Sequence, residues 1–126
     1  PTFMYENALE LLKQRDYVLA EKSLTEFLAQ NVNHPLVPNA KYWLGETYFV
    51  QNKFNDAARV FAEGYQRYPK GTKAPDNLLK LGLSLAATNK TPDACVALKQ
   101  IAKDFPNGAT AVKTRAASEL KKLKCP

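Results

Sequence analysis

The side chains in this 126-residue chain that could do covalent or metal chemistry are few and poorly placed for it. His34 is the single histidine, and it stands beside Pro35 in a polar stretch, where it reads as a turn residue rather than a catalyst. Cys95 and Cys125 lie thirty residues apart with no histidine near either, which argues against a zinc site. The five glycines are scattered, so no phosphate-cradling loop is present, and no His-Glu-x-x-His occurs. Glu6 and Glu10 share a helix face at i, i+4 spacing and are expected to be solvated. No catalytic constellation can be assembled, and neither an enzyme, a metal nor a cofactor is expected. What remains is recognition: aromatic, apolar and acidic side chains at helical spacing.

The elements that would hold such a surface are organised around Tyr42–Pro69. Leu44, Gly45 and Tyr48 fall on one helix, and Ala57, Phe61 and Gly64 on a second. Pro69 stops the second, because it lacks an N–H and biases Tyr68 away from the α region. Gly45 and Ala57 are small, and mark the place where two antiparallel helices are expected to approach closely. Adding 37 to these positions lands on Leu81, Gly82, Leu85, Ala94, Leu98, Ile101 and Pro106, and carries Pro38 to Pro75 and Asn39 to Asp76. Subtracting 37 gives a weaker copy with Ala8, Leu11, Tyr17, Ala20, Leu24 and Phe27. The leucine–glycine–tyrosine–alanine–phenylalanine–proline series resembles the tetratricopeptide repeat (TPR), whose usual period is about 34 residues. The surplus is expected in the turns around Asn33–Leu36 and Lys70–Thr72.

The fold expected is all-α: a single TPR domain over 1–126, forming a right-handed superhelix. Three helix–turn–helix repeats cover about 1–35, 36–70 and 73–106, and a capping helix covers about 109–123. The helices are placed at about Thr2–Gln14, Tyr17–Gln30, Pro35–Val50, Phe54–Tyr68, from an N-cap at Thr72 to Ala87, from a capping hydroxyl at Thr91 to Phe105, and at Ala109–Leu123. Phe3, Ala8, Leu9, Leu11 and Leu12 form the apolar stripe of the first. Val112, Ala116, Leu120 and Leu123 let the last helix cover the final apolar face, while its lysines and Arg115 face out.

In such arrays the first helix of each unit lines the concave face. The register assigns Tyr5, Leu9 and Leu12 from helix one, then Asn39, Tyr42, Glu46 and Phe49 from helix three. Helix five adds Asp76, Leu79, Leu83 and Ala86. Aromatics there suit recognition of a peptide or helix. The groove reads as apolar with a few acids, lacking the lysine–asparagine set that clamps a C-terminal carboxylate. A competing role for these side chains is core packing, above all for Leu9, Leu83 and Trp43, with Tyr42 and Phe49 open to either role. The same antiparallel arrangement brings Cys95, near the start of helix six, towards Cys125, past the end of helix seven. A disulfide there would pin the cap and imply an oxidising compartment; the alternative is two free thiols.

Net charge is +6. Residues 109–126 hold five basic groups against Glu119 alone, so the excess gathers on the last helix. That suits either an anionic partner or a solvated capping face. No apolar run reaches the roughly 18–20 residues that span a bilayer. The chain starts at Pro1 without a leader-like stretch, as expected of a mature protein or an excised domain.

Three segments narrow the resemblance: Pro38-Asn39-Ala40-Lys41-Tyr42-Trp43-Leu44-Gly45-Glu46, Tyr68-Pro69-Lys70, and Lys73-Ala74-Pro75-Asp76-Asn77-Leu78-Leu79-Lys80-Leu81-Gly82. They resemble the C-terminal TPR domain of the Tol–Pal cell-division coordinator family (YbgF/CpoB). The resemblance implies a periplasmic, non-enzymatic scaffold that binds TolA. It would coordinate septal peptidoglycan synthesis with outer-membrane constriction. Neither nucleic acid binding nor direct membrane insertion is implied. Family members trimerise through an N-terminal coiled coil that this sequence does not include. A TPR subunit of another envelope assembly, for outer-membrane-protein insertion or pilus secretion, is the alternative reading. Binding of an anionic polymer through the basic cap is a third.

Overall fold

The computed structural model describes residues 2–126, and seven helices account for most of them. They are α1 (Thr2–Lys13), α2 (Tyr17–Gln30), α3 (Val37–Val50), α4 (Phe54–Arg67), α5 (Ala74–Ala87), α6 (Thr91–Asp104) and α7 (Thr110–Lys122). Successive helices pack as antiparallel pairs, α1 with α2, α3 with α4 and α5 with α6, and α7 covers the last pair. The first helices of neighbouring pairs touch, α1 with α3, α3 with α5 and α5 with α7, whereas the backbones of α2, α4 and α6 stay apart and the Tyr65 side chain bridges α4 to α6. The stack therefore curves, with α1, α3, α5 and α7 on its concave side.

The tightest point of each pair is a missing Cβ. A methyl built on Gly45 would stand 2.6 Å from the Phe61 ring, and one on Gly82 would stand 2.6 Å from Leu98. The close approach thus lies one turn beyond the expected Gly45–Ala57 contact, although Ala57, Phe61 and Tyr42 do share one cluster. Two larger clusters flank it. Tyr5, Ala8, Leu24, Phe27, Val37, Ala40 and Leu44 fill the N-terminal one. Leu78, Leu79, Leu83, Leu98, Ile101, Val112 and Ala116 fill the one under the cap.

Both kinds of turn repeat at the 37-residue period. Each first helix ends in a Schellman motif with a left-handed residue: Arg15, Asn52 and Asn89, each at φ 62°. The amides of Asp16, Lys53 and Lys90 then bond the carbonyls of Leu11, Tyr48 and Leu85. Helix α7 closes the same way, with Lys124 at φ 57° and the Cys125 amide on the Leu120 carbonyl. Each second helix ends on a residue that has left the helical conformation, Asn31, Tyr68 or Phe105, whose amide still bonds back into the helix. Pro69 and Pro106 follow directly. The longer connections lie between pairs, from Gln30 to Val37 and from Arg67 to Ala74.

Several expected details differ. Helix α3 begins at Val37 rather than Pro35, because the Leu36 amide donates to His34 Nδ1 at 3.0 Å and holds Pro35 in a turn. Thr72 is not an N-cap; Lys73 holds that position without a side-chain bond, and Pro75 enters the first turn. Thr91 is the first helical residue of α6, with Lys90 as its cap, so its hydroxyl does not cap either. Phe3 is 79% exposed, and the buried side of α1 runs instead through Tyr5 and Ala8. In the cap, Val112 and Ala116 are buried, and Leu120 and Leu123 pack beside them.

Three polar side chains lie inside the stack, and two of them, the Thr47 and Ser84 hydroxyls, donate to carbonyls of their own helices, those of Trp43 and Lys80. Asn77 of α5 is 1% exposed and its amide rests against Gly64 of α4, where an added Cβ would meet Nδ2 at 2.9 Å. Its Oδ1 has no hydrogen-bond partner. Cys95 of α6 and Cys125 beyond α7 are joined in a disulfide with a Cα–Cα distance of 5.7 Å.

These contacts set two stability expectations. Gly45→Ala gains about 1 kcal/mol of helix propensity but drives a methyl into a buried ring, an overpacking that costs about 1–3 kcal/mol. A net loss in urea unfolding is expected, because the ring is enclosed on all sides. Reducing the Cys95–Cys125 bond, which closes a loop of sequence separation 30, is expected to lower stability by about 3–4 kcal/mol on the loop-entropy model. A denaturant midpoint unchanged by reduction would refute that figure.

Candidate functional site

On the concave side, α3 and α5 lie next to each other and their side chains meet. The Lys80 ammonium lies 3.1 Å from Glu46 Oε1 and 3.3 Å from Oε2, so an ion pair crosses from one unit to the next. The same ammonium stands 4.6 Å from the centre of the Phe49 ring. Lys73, just before α5, sits over Tyr42 at 5.0 Å and over Trp43 at 5.1 Å. Each such contact is worth about 0.5–1 kcal/mol where water has access. The surface is therefore an aromatic floor covered by lysines, not the apolar, acid-dotted groove expected from the register.

The register-derived residues divide. Leu12, Asn39, Glu46, Phe49 and Asp76 are half-buried, and Glu46 and Phe49 meet Lys80 across the α3–α5 contact. Tyr5, Tyr42, Leu79 and Leu83 are each at most 8% exposed and belong to the core clusters, which corrects their assignment to the groove. The cause is geometric. Tyr42 lies on the flank of α3 that α4 covers, with Phe61 at a ring separation of 5.8 Å. Burial pushes its phenol well above the ordinary value, and the Glu46 and Asp76 carboxylates add to the shift. Leu9 and Trp43 are half-buried and pack against the N-terminal cluster, so neither is fully core. Lys73 and Lys80 escaped the sequence reading. Lys80 is the register mate of Trp43, so the 37-residue spacing could have placed it.

Electrostatics on the other flank hold the pairs together. The Lys41 ammonium of α3 donates to Glu63 of α4 at 3.0 Å, and Arg59 reaches the other oxygen at 3.2 Å. The hydrogen bond from Lys41 is the main reason the Glu63 carboxyl is held below its ordinary range. Between α4 and α6, the Tyr65 hydroxyl donates to Asp104 and likewise lowers that carboxyl. Burial, with Asp104 second, pushes the Tyr65 phenol up to about 12. Both carboxyls are depressed in the folded state. Their contribution is thus complete above the ordinary carboxylate range and is lost as pH falls through the lowered values. Lys41→Gln is expected to raise the Glu63 pKa, read by carbon-detected NMR titration, and to shallow the acid limb of the stability curve.

A cavity of about 510 Å³ lies away from the α3–α5 contact. It opens at the α2–α3 connection, beside His34, Arg67 and Tyr68. A more apolar one of about 350 Å³ lies against the disulfide, beside Val96 and Leu123. No group of three or more His, Cys, Asp and Glu that could hold a metal occurs among the described residues, nor any helix long and apolar enough to cross a membrane.

The paired helices, the glycine contacts and the curvature agree with comparison to known families. Two tetratricopeptide-repeat profiles match the chain, one over residues 5–72 and one over 76–108. No curated protein matches it closely enough to count as a relative. The fold is a scaffold without catalytic motifs, of the type that mediates protein–protein interaction. The chain belongs to the tetratricopeptide-repeat family.

Proposed function

We propose that this TPR module is a periplasmic scaffold of the Tol–Pal envelope system, which binds TolA and couples septal peptidoglycan synthesis to outer-membrane constriction. The observation that carries the reading is the pair of segments at 38–46 and 73–82, which resemble the division-coordinator family. The same segments supply Asn39, Trp43, Glu46, Lys73, Asp76 and Lys80, all on or beside the concave face. A disulfide between Cys95 and Cys125 suits an oxidising compartment. A coiled-coil trimer of the parent protein belongs to the same proposal.

Calorimetric titration with the periplasmic domains of TolA tests it. Tyr42→Ala is a poor probe, since it would open a core cavity. Glu46→Lys alters the residue that pairs with Lys80 across α3 and α5, and Val50→Asp an exposed position one turn further along α3. Saturable binding is expected, weakened about tenfold or more, equivalent to about 1.4 kcal/mol, by either variant. Binding that ignores both moves the site away from the concave face. No binding transfers the chain to another envelope assembly, for outer-membrane-protein insertion or pilus secretion.

A further inference from the structure

The two interfaces between second helices are built differently, and the difference defines a site. Between α4 and α6, Tyr65 crosses the gap: its hydroxyl donates to Asp104 and its ring meets Phe105 edge-on at 6.3 Å. Thirty-seven residues earlier the corresponding positions are Leu28, Arg67 and Tyr68. An alkyl chain replaces the phenol, and a guanidinium replaces the carboxylate. No hydrogen bond joins Leu28 to Arg67, and the gap between α2 and α4 holds two adjoining cavities of about 510 and 140 Å³. Both are lined by Val32, Val37, Arg67 and Tyr68.

Arg67 is left available by its neighbours. Its partner at i−4 would be Glu63, but Lys41 and Arg59 already hold both oxygens of that carboxylate. No other ion pair involves Arg67 among the described residues. His34 adds a donor to the wall: Nδ1 accepts the Leu36 amide, so the neutral ring carries its proton on Nε2. Val32, 68% exposed, offers an apolar edge at the mouth. The cleft thus presents cation, donor and apolar wall, and lacks the carboxylate and aromatic ring that its counterpart supplies internally.

We propose that this α2–α4 cleft binds an acidic peptide segment, seating a carboxylate side chain on Arg67 and an adjacent aromatic or apolar side chain against Val32 and Tyr68. A fork-shaped guanidinium favours a carboxylate with paired hydrogen bonds, and the flanking apolar surface favours a peptide over a small anion. The site is separate from the concave face and does not depend on the identity of the partner bound there.

Amide NMR titration with a blocked tetrapeptide of alternating phenylalanine and glutamate tests the proposal, with glutamine in place of glutamate as the control peptide. Shifts confined to Val32, His34, Lys41, Arg67 and Tyr68 are expected, with binding weakened about tenfold or more by the control peptide or by Arg67→Glu. The double variant Leu28→Tyr with Arg67→Asp copies the α4–α6 bridge; it is expected to stay folded and to lose binding. Equal affinity for both peptides, full affinity in Arg67→Glu, shifts at Glu46 and Lys80 instead, or no shifts at all would each overturn it. A concave-face response to TolA is read separately, so failure here leaves that reading intact.

Discussion

Gly45 and Gly82 lack the one atom that would keep their helices apart, and the rest of the array follows from that. Phe61 and Leu98 occupy the space each missing Cβ leaves, so each pair locks as an antiparallel unit with a buried seam. With the pairs locked, their first helices can touch their neighbours while the backbones of the second helices stay apart. Curvature results, and with it a concave face that no single pair could form. In the first pair the same place holds Ala8 opposite Leu24, both fully buried. A methyl is accommodated there, so the seam is adjusted unit by unit within one register.

Much of this was legible in the chain. Glycine, alanine and proline recurring every 37 residues placed the six paired helices, the spacing of Val112, Ala116, Leu120 and Leu123 placed the seventh, and Pro69 and Pro106 marked the ends of two of them correctly. The caps were not legible. A hydroxyl near a proline is a common start signal, yet Thr72 stands outside α5 and Thr91 inside α6, because the Schellman and inter-pair turns set where each helix opens. Those turns had a partial signal, Asn52 and Asn89, but the bulky Arg15 and Lys124 adopt the same left-handed conformation and hide the pattern. For the surface, helical register picked α1, α3 and α5, which lie on the concave side. It could not tell which flank of α3 is covered by α4, and so Tyr42 was placed in the open. The lysines that cover the aromatic floor come from the neighbouring unit, a relation that position within one helix does not encode.

The units share a plan but are not interchangeable. Phe27 of α2 and Ala40 of α3 are both fully buried in the N-terminal cluster, large residue before small. At the next junction the sizes invert, with Gly64 of α4 before Asn77 of α5. A unit moved to the wrong junction would bring two large residues or two small ones together. Asn77 adds a polar constraint: its unpartnered Oδ1 is tolerated only where Gly64 admits the amide. Such a group costs stability, and at this junction it also distinguishes the α4–α5 contact from the others.

The disulfide has a mechanical side. Cys125 follows the left-handed Lys124, in the place that Asp16, Lys53 and Lys90 hold when they open the second helix of a pair. Its sulfur is tied to Cys95, in the first turns of α6. Tension applied to the chain beyond Cys125 would bypass α7 and enter α6 through a covalent bond. Helix α7 would be shielded from the load, held inside a closed loop instead of peeling from the stack. Under force the oxidised array would then yield first somewhere other than at its cap, and the reduced array at the cap itself.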